Sequence, residues 1–168
     1  MTMSPIHLRD FSPTDTDALN TLGTAAFEQF SEAYEDWPGF KAKISAMSSL
    51  AQVGEIVVAC AANARIIGAV AYIGPHQPKS SFFPVEWAIM RMLVVAPEAR
   101  GQGVGRALAQ ACMERAQRDH AGVMGLHTSP IMSVALPMYL RMGFRFERDA
   151  PPIHGVSYGI YTKDVSGR

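Results

Sequence analysis

The feature that most constrains this chain is the run Arg100-Gly101-Gln102-Gly103-Val104-Gly105, set between an apolar stretch and an amphipathic one. Three alternating glycines let a backbone approach a ligand closely and take up positive φ. The stretch before them, Val85 to Val95, is nearly all apolar and reads as a long strand buried on both faces. After them, Val104, Ala107, Leu108, Ala111 and Ala116 recur at helical spacing. The first N–H groups of such a helix have no partner within it, and the helix dipole adds positive potential. A turn of this kind can therefore hold a phosphate without a lysine. Arg100 and Arg106 add charge at its rim. A glycine-rich helix entry that binds nothing is the plain alternative.

Two familiar phosphate loops do not fit. A nucleotide P-loop ends in Gly-Lys-Ser/Thr, whereas Gly105 is followed by Arg106 and Ala107. A dinucleotide loop needs G-x-G-x-x-G, and the third position falls on Arg106 or Leu108.

The surrounding pattern mixes strands and helices. Ile6 and Leu8 alternate with polar neighbours as a short strand. Ser12-Pro13-Thr14-Asp15 opens a helix capped by Ser12, whose buried face runs from Ala18 to Phe30. A second, less regular helix is expected over Phe40 to Leu50. Glu55 to Ala61 and Ile66 to Ile73 form an antiparallel hairpin about Asn63-Ala64-Arg65, and Gly74 to Pro84 is a loop. Beyond the glycine turn, the helix reaches Arg118, where Glu114 and Arg118 have the spacing of a helical ion pair. Val123 to Thr128 is a strand, and the strand-helix-strand order makes it parallel to the one before the glycines. Ser133 to Met142 is a last helix stopped by Gly143. Phe144 to Arg148 and Val156 to Lys163 are two closing strands.

Composition narrows the function classes. The 168 residues carry fifteen basic and fifteen acidic side chains and are 48% apolar, which suits a packed core and argues against a nucleic-acid partner. Met1-Thr2-Met3-Ser4-Pro5 lacks a basic region ahead of an apolar one, and no run of about 18 apolar residues offers a membrane span. Cys60 and Cys112 sit in apolar surroundings and read as free buried thiols in a reducing cytoplasm. No His/Cys/Asp/Glu spacing suggests a metal site.

Two motifs, correctly separated, then point to a family. Leu93-Val94-Val95-x-Pro97-Glu98-x-Arg100-Gly101-Gln102-Gly103-Val104-Gly105 resembles the strand-to-helix acetyl-CoA motif of the GNAT superfamily of N-acetyltransferases. Arg100/Gln102 to Gly105 match its Q/R-x-x-G-x-G/A core. One helix and one strand further on, Ala135-x-x-x-Tyr139-x-x-x-Gly143-Phe144 is similar to that family's A-x-x-x-Y-x-x-x-G-F signature. The resemblance implies one α/β domain of the α+β type over residues 1–168, with its acetyl-CoA-binding core at about residues 85–148. Its sheet would be central, mixed and mostly antiparallel, with a splayed parallel strand pair and about four flanking helices.

The same resemblance assigns roles. The backbone of Leu93, Val94 and Val95 would pair with the pantetheine arm, and the amides from Gln102 to Arg106 would receive the pyrophosphate, with Gly101 also at the cofactor. Tyr139 would lie beside the sulfur as general acid. Many members carry an Asn near the start of the last helix; this chain has Met132 there, with Ser129 and Ser133 nearby. Pro137 either kinks that helix or marks its true start. Dimers are common in such proteins, so a homodimer is possible.

Acetyl transfer to an amine also needs a proton acceptor, because an alkylamine has a pKa of about 10. Glu86 is the carboxylate of the Val85 to Val95 run and is the candidate base, or else a solvated strand end. His127 either relays a proton or is structural. Phe27 to Phe40 combines Phe30, Tyr34, Trp37 and Phe40 with Glu28, Glu32, Glu35 and Asp36. It forms either an acidic aromatic pocket for an ammonium group or an ordinary helix with its acids in water. Gly74 to Pro84 and Trp87 would supply the opposite wall. The expected activity is transfer of acetyl from acetyl-CoA directly to a primary amine of a small molecule or peptide. The alternative is a catalytically weak acyl-CoA-binding sensor.

Overall fold

The computed structural model describes residues 5–167. The reading of the N-terminus as lacking a leader falls mainly on Met1 to Ser4, outside the described residues. Seven strands form one sheet, in the order β1-β2-β3-β4-β5-β7-β6. They are β1 (His7–Asp10), β2 (Glu55–Cys60), β3 (Ile66–Ile73), β4 (Ala88–Val95), β5 (Val123–Thr128), β6 (Arg145–Ile153) and β7 (Val156–Asp164). Only β4 and β5 are parallel; every other neighbouring pair is antiparallel. Four α-helices flank the sheet: α1 (Thr16–Phe27), α2 (Trp37–Ile44), α3 (Val104–Arg118) and α4 (Ala135–Arg141). The mixed sheet with one parallel pair agrees with the expected fold class.

Helices α1 and α3 both pack on β3 and β4, which explains why β2 and β3 are buried almost throughout. Val104 and Leu108 of α3 press on Gly68, where a side chain would collide with them. A second cluster gathers α2, the loop before β4 and the far ends of β5 and β7 around Tyr34, Phe40, Ile73, Phe83, Ile89, Tyr158 and Ile160. Both cysteines are free and buried, and burial pushes the Cys112 thiol up to about 12. No helix among the described residues is long and apolar enough to cross a membrane.

Several boundaries differ from expectation. The first helix opens as a 3-10 turn at Pro13–Asp15, with the Ser12 N–H donating to Asp15 Oδ2 at 2.8 Å. Ser12 is the cap residue as expected, and it forms a reciprocal capping box with Asp15. That helix ends at Phe27 and tightens to 3-10 over Glu28–Ala33. The second helix spans Trp37–Ile44 instead of Phe40 to Leu50, because Asp36 accepts the Gly39 N–H and Pro38 is harmless in a first turn. Met47–Gln52 is a separate 3-10 turn.

The strand expected from Val85 begins at Ala88, because the Trp87 N–H closes a turn onto the Pro84 carbonyl. It is buried over Ala88–Met90 and again at Val94, while Arg91 to Leu93 are half-buried. Arg118 pairs with Glu55 and Asp119 rather than Glu114, since the strand acid β2 supplies lies nearer its guanidinium. The last helix is Ala135–Arg141, shorter than Ser133 to Met142. Strand β6 runs through Pro151 and Pro152 to Ile153, five residues beyond expectation. It is the outer edge strand and its register shifts between Ala150 and Ile153, a place where prolines break no central ladder. His154 and Gly155, at φ 44° and 81°, make the tight turn into β7.

Candidate active site

The glycine turn joins a short 3-10 turn, Pro97–Ala99, to α3. Gly101 and Gly103 have φ of 78° and 81°, and a methyl group on either would meet nothing within 4 Å. Backbone conformation, not crowding, therefore requires glycine there. Gly103 is the N-terminal cap residue of α3, and no side chain caps the first turn. The amides of Val104, Gly105 and Arg106 are thus free of any helical or capping partner. Gly105 differs from the other two: its φ is that of a helix, and an added methyl would touch Met138 Sδ, Val95 Cγ2 and Leu93 Cδ2 at 3.5, 3.7 and 3.8 Å. It sits where β4 and α4 converge on the helix start. Gln102 and Arg106 are exposed at the rim. Arg100 instead donates from Nη2 to the Ala26 carbonyl at 3.3 Å, tying the turn to the end of α1.

Strand β4 is bent just before this turn. Opposite β3, Ala69 pairs with Val94 and Ala71 with Arg91, so Met92 and Leu93 together face Val70. Met92 adopts φ 54°, a left-handed conformation that a non-glycine residue takes only under constraint. On the other edge, β4 pairs with β5 only at Ala88–Met124 and Ile89–Gly125. Beyond those pairs β5 stays with β7, through Leu126–Tyr161, His127–Ile160 and Thr128–Gly159. The parallel strands therefore fork after Ile89, and the fork opens toward the glycine turn. Leu93 and Val95 are half-buried along its β4 side, and Val94 is buried.

Helix α4 approaches the glycine turn through Met138, which lies beside Gly105. Pro137 is its third residue, where a backbone N–H would lack a helical partner, so it marks the helix start without a kink. Tyr139 is buried, packs edge-on to Phe144 at 5.7 Å, and has its phenol pKa raised by burial and then by the nearby Cys112. Ser129 is buried at the end of β5, where its hydroxyl accepts the Ile131 N–H at 3.3 Å and its carbonyl the Met132 N–H at 2.9 Å. Met132 packs on the aromatic cluster. Met138 and Arg91 were not among the expected site residues; a helical position beside Tyr139 was the only signal for the former.

On the aromatic face of the fork stand Arg91 and His127. Arg91 is half-buried, and burial alone lowers its guanidinium pKa. His127 is ringed by Phe82, Phe83 and Tyr158, with ring centroids at 5.5, 5.8 and 5.4 Å. Burial, and then the charge of Arg91, bring its pKa down to about 4, and its Nδ1 has no hydrogen-bond partner. Glu86 lies in the exposed turn ahead of β4, outside the fork. The Phe27 to Phe40 segment turns its aromatics inward, with Tyr34 stacked on Phe40 at 4.0 Å. Its four acids are exposed, so it is an aromatic wall rather than an acidic pocket. Asp36 caps α2 and approaches His154 at 3.8 Å. Phe82 and Phe83 of the loop form the opposite wall, while Trp87 covers Gly125. Two surface grooves, of about 510 and 370 Å³, are lined by neither the glycine turn nor α4. Among the described residues, no group of three or more His, Cys, Asp or Glu could hold a metal ion.

The sequence model of the Acetyltransferase (GNAT) family matches residues 17–144. No curated protein matches the chain. The fold is similar to a GCN5-related N-acetyltransferase from Rhodopseudomonas palustris, 19% identical, with a TM-score of 0.74 and 98% of each chain covered. It is also similar to the histone acetyltransferase HPA2 and related acetyltransferase from Corynebacterium glutamicum, 23% identical. There the TM-score is 0.73, over 96% of this chain and 97% of that one. The ribosomal-protein-S18-alanine N-acetyltransferase from Escherichia coli is 14% identical with a TM-score of 0.69, over 98% and 96% of the two chains. At these identities the structural likeness is one of fold.

Proposed function

We propose a function from one premise: this chain belongs to the acetyltransferase (GNAT) family. It moves the acetyl group of acetyl-CoA directly to a primary amine of a small molecule or peptide, with residues 1–168 acting as one domain. The observation that carries this reading is the fork of β4 and β5 leading into an uncapped helix N-terminus. An extended amide-bearing arm can pair with the strand edge that the fork leaves open, along Leu93 to Val95. A pyrophosphate at its end meets the amides from Gln102 to Arg106 in a positive field, with Arg106 at the rim and the charge of Arg100 behind the turn. Ser129 and Met132 flank the arm on the side of β5.

The neutral amine attacks the thioester carbon, whose oxygen is polarised by the Val94 N–H. Tyr139 supplies a proton to the departing thiolate; its raised pKa keeps the phenol protonated until that moment. Of the two candidate proton acceptors, Glu86 stands in the exposed turn and His127 lies two residues beyond the last β4–β5 pair, which favours His127. Amine acceptors on proteins fall within the class, since two of the similar folds are named for histone and for ribosomal-protein alanine acetylation. The free buried thiols suit a reducing compartment such as the cytoplasm.

Calorimetry with acetyl-CoA, followed by thiol release over an amine panel for wild type and Tyr139→Phe, tests this reading. Acetyl-CoA should bind both proteins equally, and kcat should fall roughly 100-fold in the variant. Absence of acetyl-CoA binding would refute the proposal. Binding without turnover of any amine would support the sensor reading, which the exposed position of Glu86 favours.

A further inference from the structure

The fork carries two polar groups whose surroundings leave them incomplete. Ile89 and Gly125 are the last paired residues of β4 and β5. Side chains two residues apart on a strand share a face, so Arg91 and His127 are the next residues in line across the opening. The charge of Arg91 acts on the His127 ring, as that proximity requires. Among the described residues, no carboxylate pairs with Arg91; only burial acts on its guanidinium. The exposed acids from Glu28 to Asp36 do not reach it. His127 has its Nδ1 buried without a hydrogen-bond partner. Nearly all buried polar atoms in proteins are completed, so a site that sets one that is not beside an unpaired, half-buried guanidinium is suited to a ligand.

Resting on the acetyltransferase reading, we infer that the acceptor is a free amino acid whose carboxylate binds Arg91 and whose amine lies against the partly exposed edge of the His127 ring. Guanidinium and carboxylate match through two parallel hydrogen bonds, which a compact ammonium could not reproduce. His127 stays neutral at pH 7, so its ring nitrogen can accept an N–H. One carbon bearing both an amine and a carboxylate spans neighbouring groups of this kind. A peptide N-terminus, by contrast, has no carboxylate beside its amine. Phe82, Phe83 and Tyr158 around the imidazole give the site an apolar, aromatic border that suits an apolar side chain.

The step balances with these groups alone. The amine binds uncharged and its lone pair forms the C–N bond at the thioester carbon. The nitrogen then becomes far more acidic than an alkylammonium, so even a weakly basic imidazole takes its proton. The C–S bond breaks, its electron pair leaves on sulfur, and the Tyr139 phenol supplies the sulfur proton. N-acetyl amino acid and CoA are the products; solvent restores Tyr139 and His127.

The test is thiol release with acetyl-CoA and a panel of amino acids, each beside its own carboxamide, for wild type, Arg91→Met and Arg91→Lys. Wild type should prefer the best amino acid over its amide by at least roughly 10-fold in kcat/KM, the worth of a charge-assisted bond. Arg91→Met should erase that preference by raising KM, Arg91→Lys should keep part of it, and both should bind acetyl-CoA as wild type does. Equal use of acid and amide, an unchanged KM in Arg91→Met, or acetyl-CoA binding without turnover of any amino acid each overturns the inference and spares the cofactor reading. Failure to bind acetyl-CoA at all brings down both.

Discussion

Polar groups at the two ends of α3 are treated in opposite ways. At the C-terminal end, Arg115 pairs with Glu55 and with Asp10 at 2.6 Å. Arg118 pairs with Glu55 at 2.6 Å and Asp119 at 2.9 Å, and the Tyr72 hydroxyl donates to Asp119 at 2.8 Å. These cations also suit the negative end of the helix dipole. At the N-terminal end the first-turn amides have no cap, and across the fork Arg91 and His127 Nδ1 have no partner. One end is saturated and fixes the helix to β1 and β2. The other is left open, although open polar groups lower stability. The contrast teaches that stability and binding should respond to different substitutions.

The sharpest way to break this comparison is Gly105→Asp. Position 105 has helical φ, a Cβ there makes only ordinary contacts at 3.5 Å or more, and a carboxylate in a first turn is favourable to the helix by about 0.5 kcal/mol. The melting temperature should stay level or rise slightly. Affinity for acetyl-CoA should fall on the order of 100-fold, since the carboxylate competes for amides worth about 1.5 kcal/mol each to an anion. Calorimetry and a thermal melt on one sample decide it. A loss of stability without a loss of affinity would mean that the open end is scaffold after all.

The second prediction concerns pH. His127 is held neutral in the folded protein, with a pKa lowered from about 6.5 to about 4 by burial and by Arg91. Between those values the unfolded chain binds the extra proton, so stability must fall as pH drops from about 6.5 to about 4, by about 1 kcal/mol per unit at the steepest. His127→Phe should flatten that limb in urea titrations. The paired end behaves differently: Glu55 and Asp119 have lowered pKa values, chiefly through Arg118, so their contribution persists at neutral pH and is lost only as pH falls below the usual carboxylate range. An unchanged slope in His127→Phe would show that the imidazole is not buried neutral.

What the sequence made legible follows from which forces are local. Periodicity announced β2, β3 and α3, whose apolar spacing is written in adjacent residues. The glycine turn was legible because a φ near 80° at Gly101 and Gly103 leaves a mark in the residue type itself. Met92 at φ 54° leaves no such mark, so the bulge that bends β4 was invisible. The true start of β4 was illegible because Pro84 closes a turn that an apolar run conceals. Arg91 and His127 are 36 positions apart in the chain and meet only through the β4–β5 register. The partners of Arg118 are likewise decided by β2 and not by the helix on which it sits.

The smallest expected effect probes the saturated end. Arg115→Met keeps the aliphatic packing of a side chain that is 20% exposed while removing the charge shared by Asp10 and Glu55. Surface pairs are worth little singly, but this one is part of a network on a half-buried stem, so about 1–2 kcal/mol should be lost. In a protein of this size that lowers the melting temperature by about 3–8 °C. Glu55 retains Arg118, so the acid limb should weaken without vanishing. Acetyl-CoA affinity should stay within about twofold, because the screened network lies a helix length of about 20 Å from the first-turn amides. If affinity falls together with stability, the two ends of α3 are coupled and their opposite treatment is a single device rather than two.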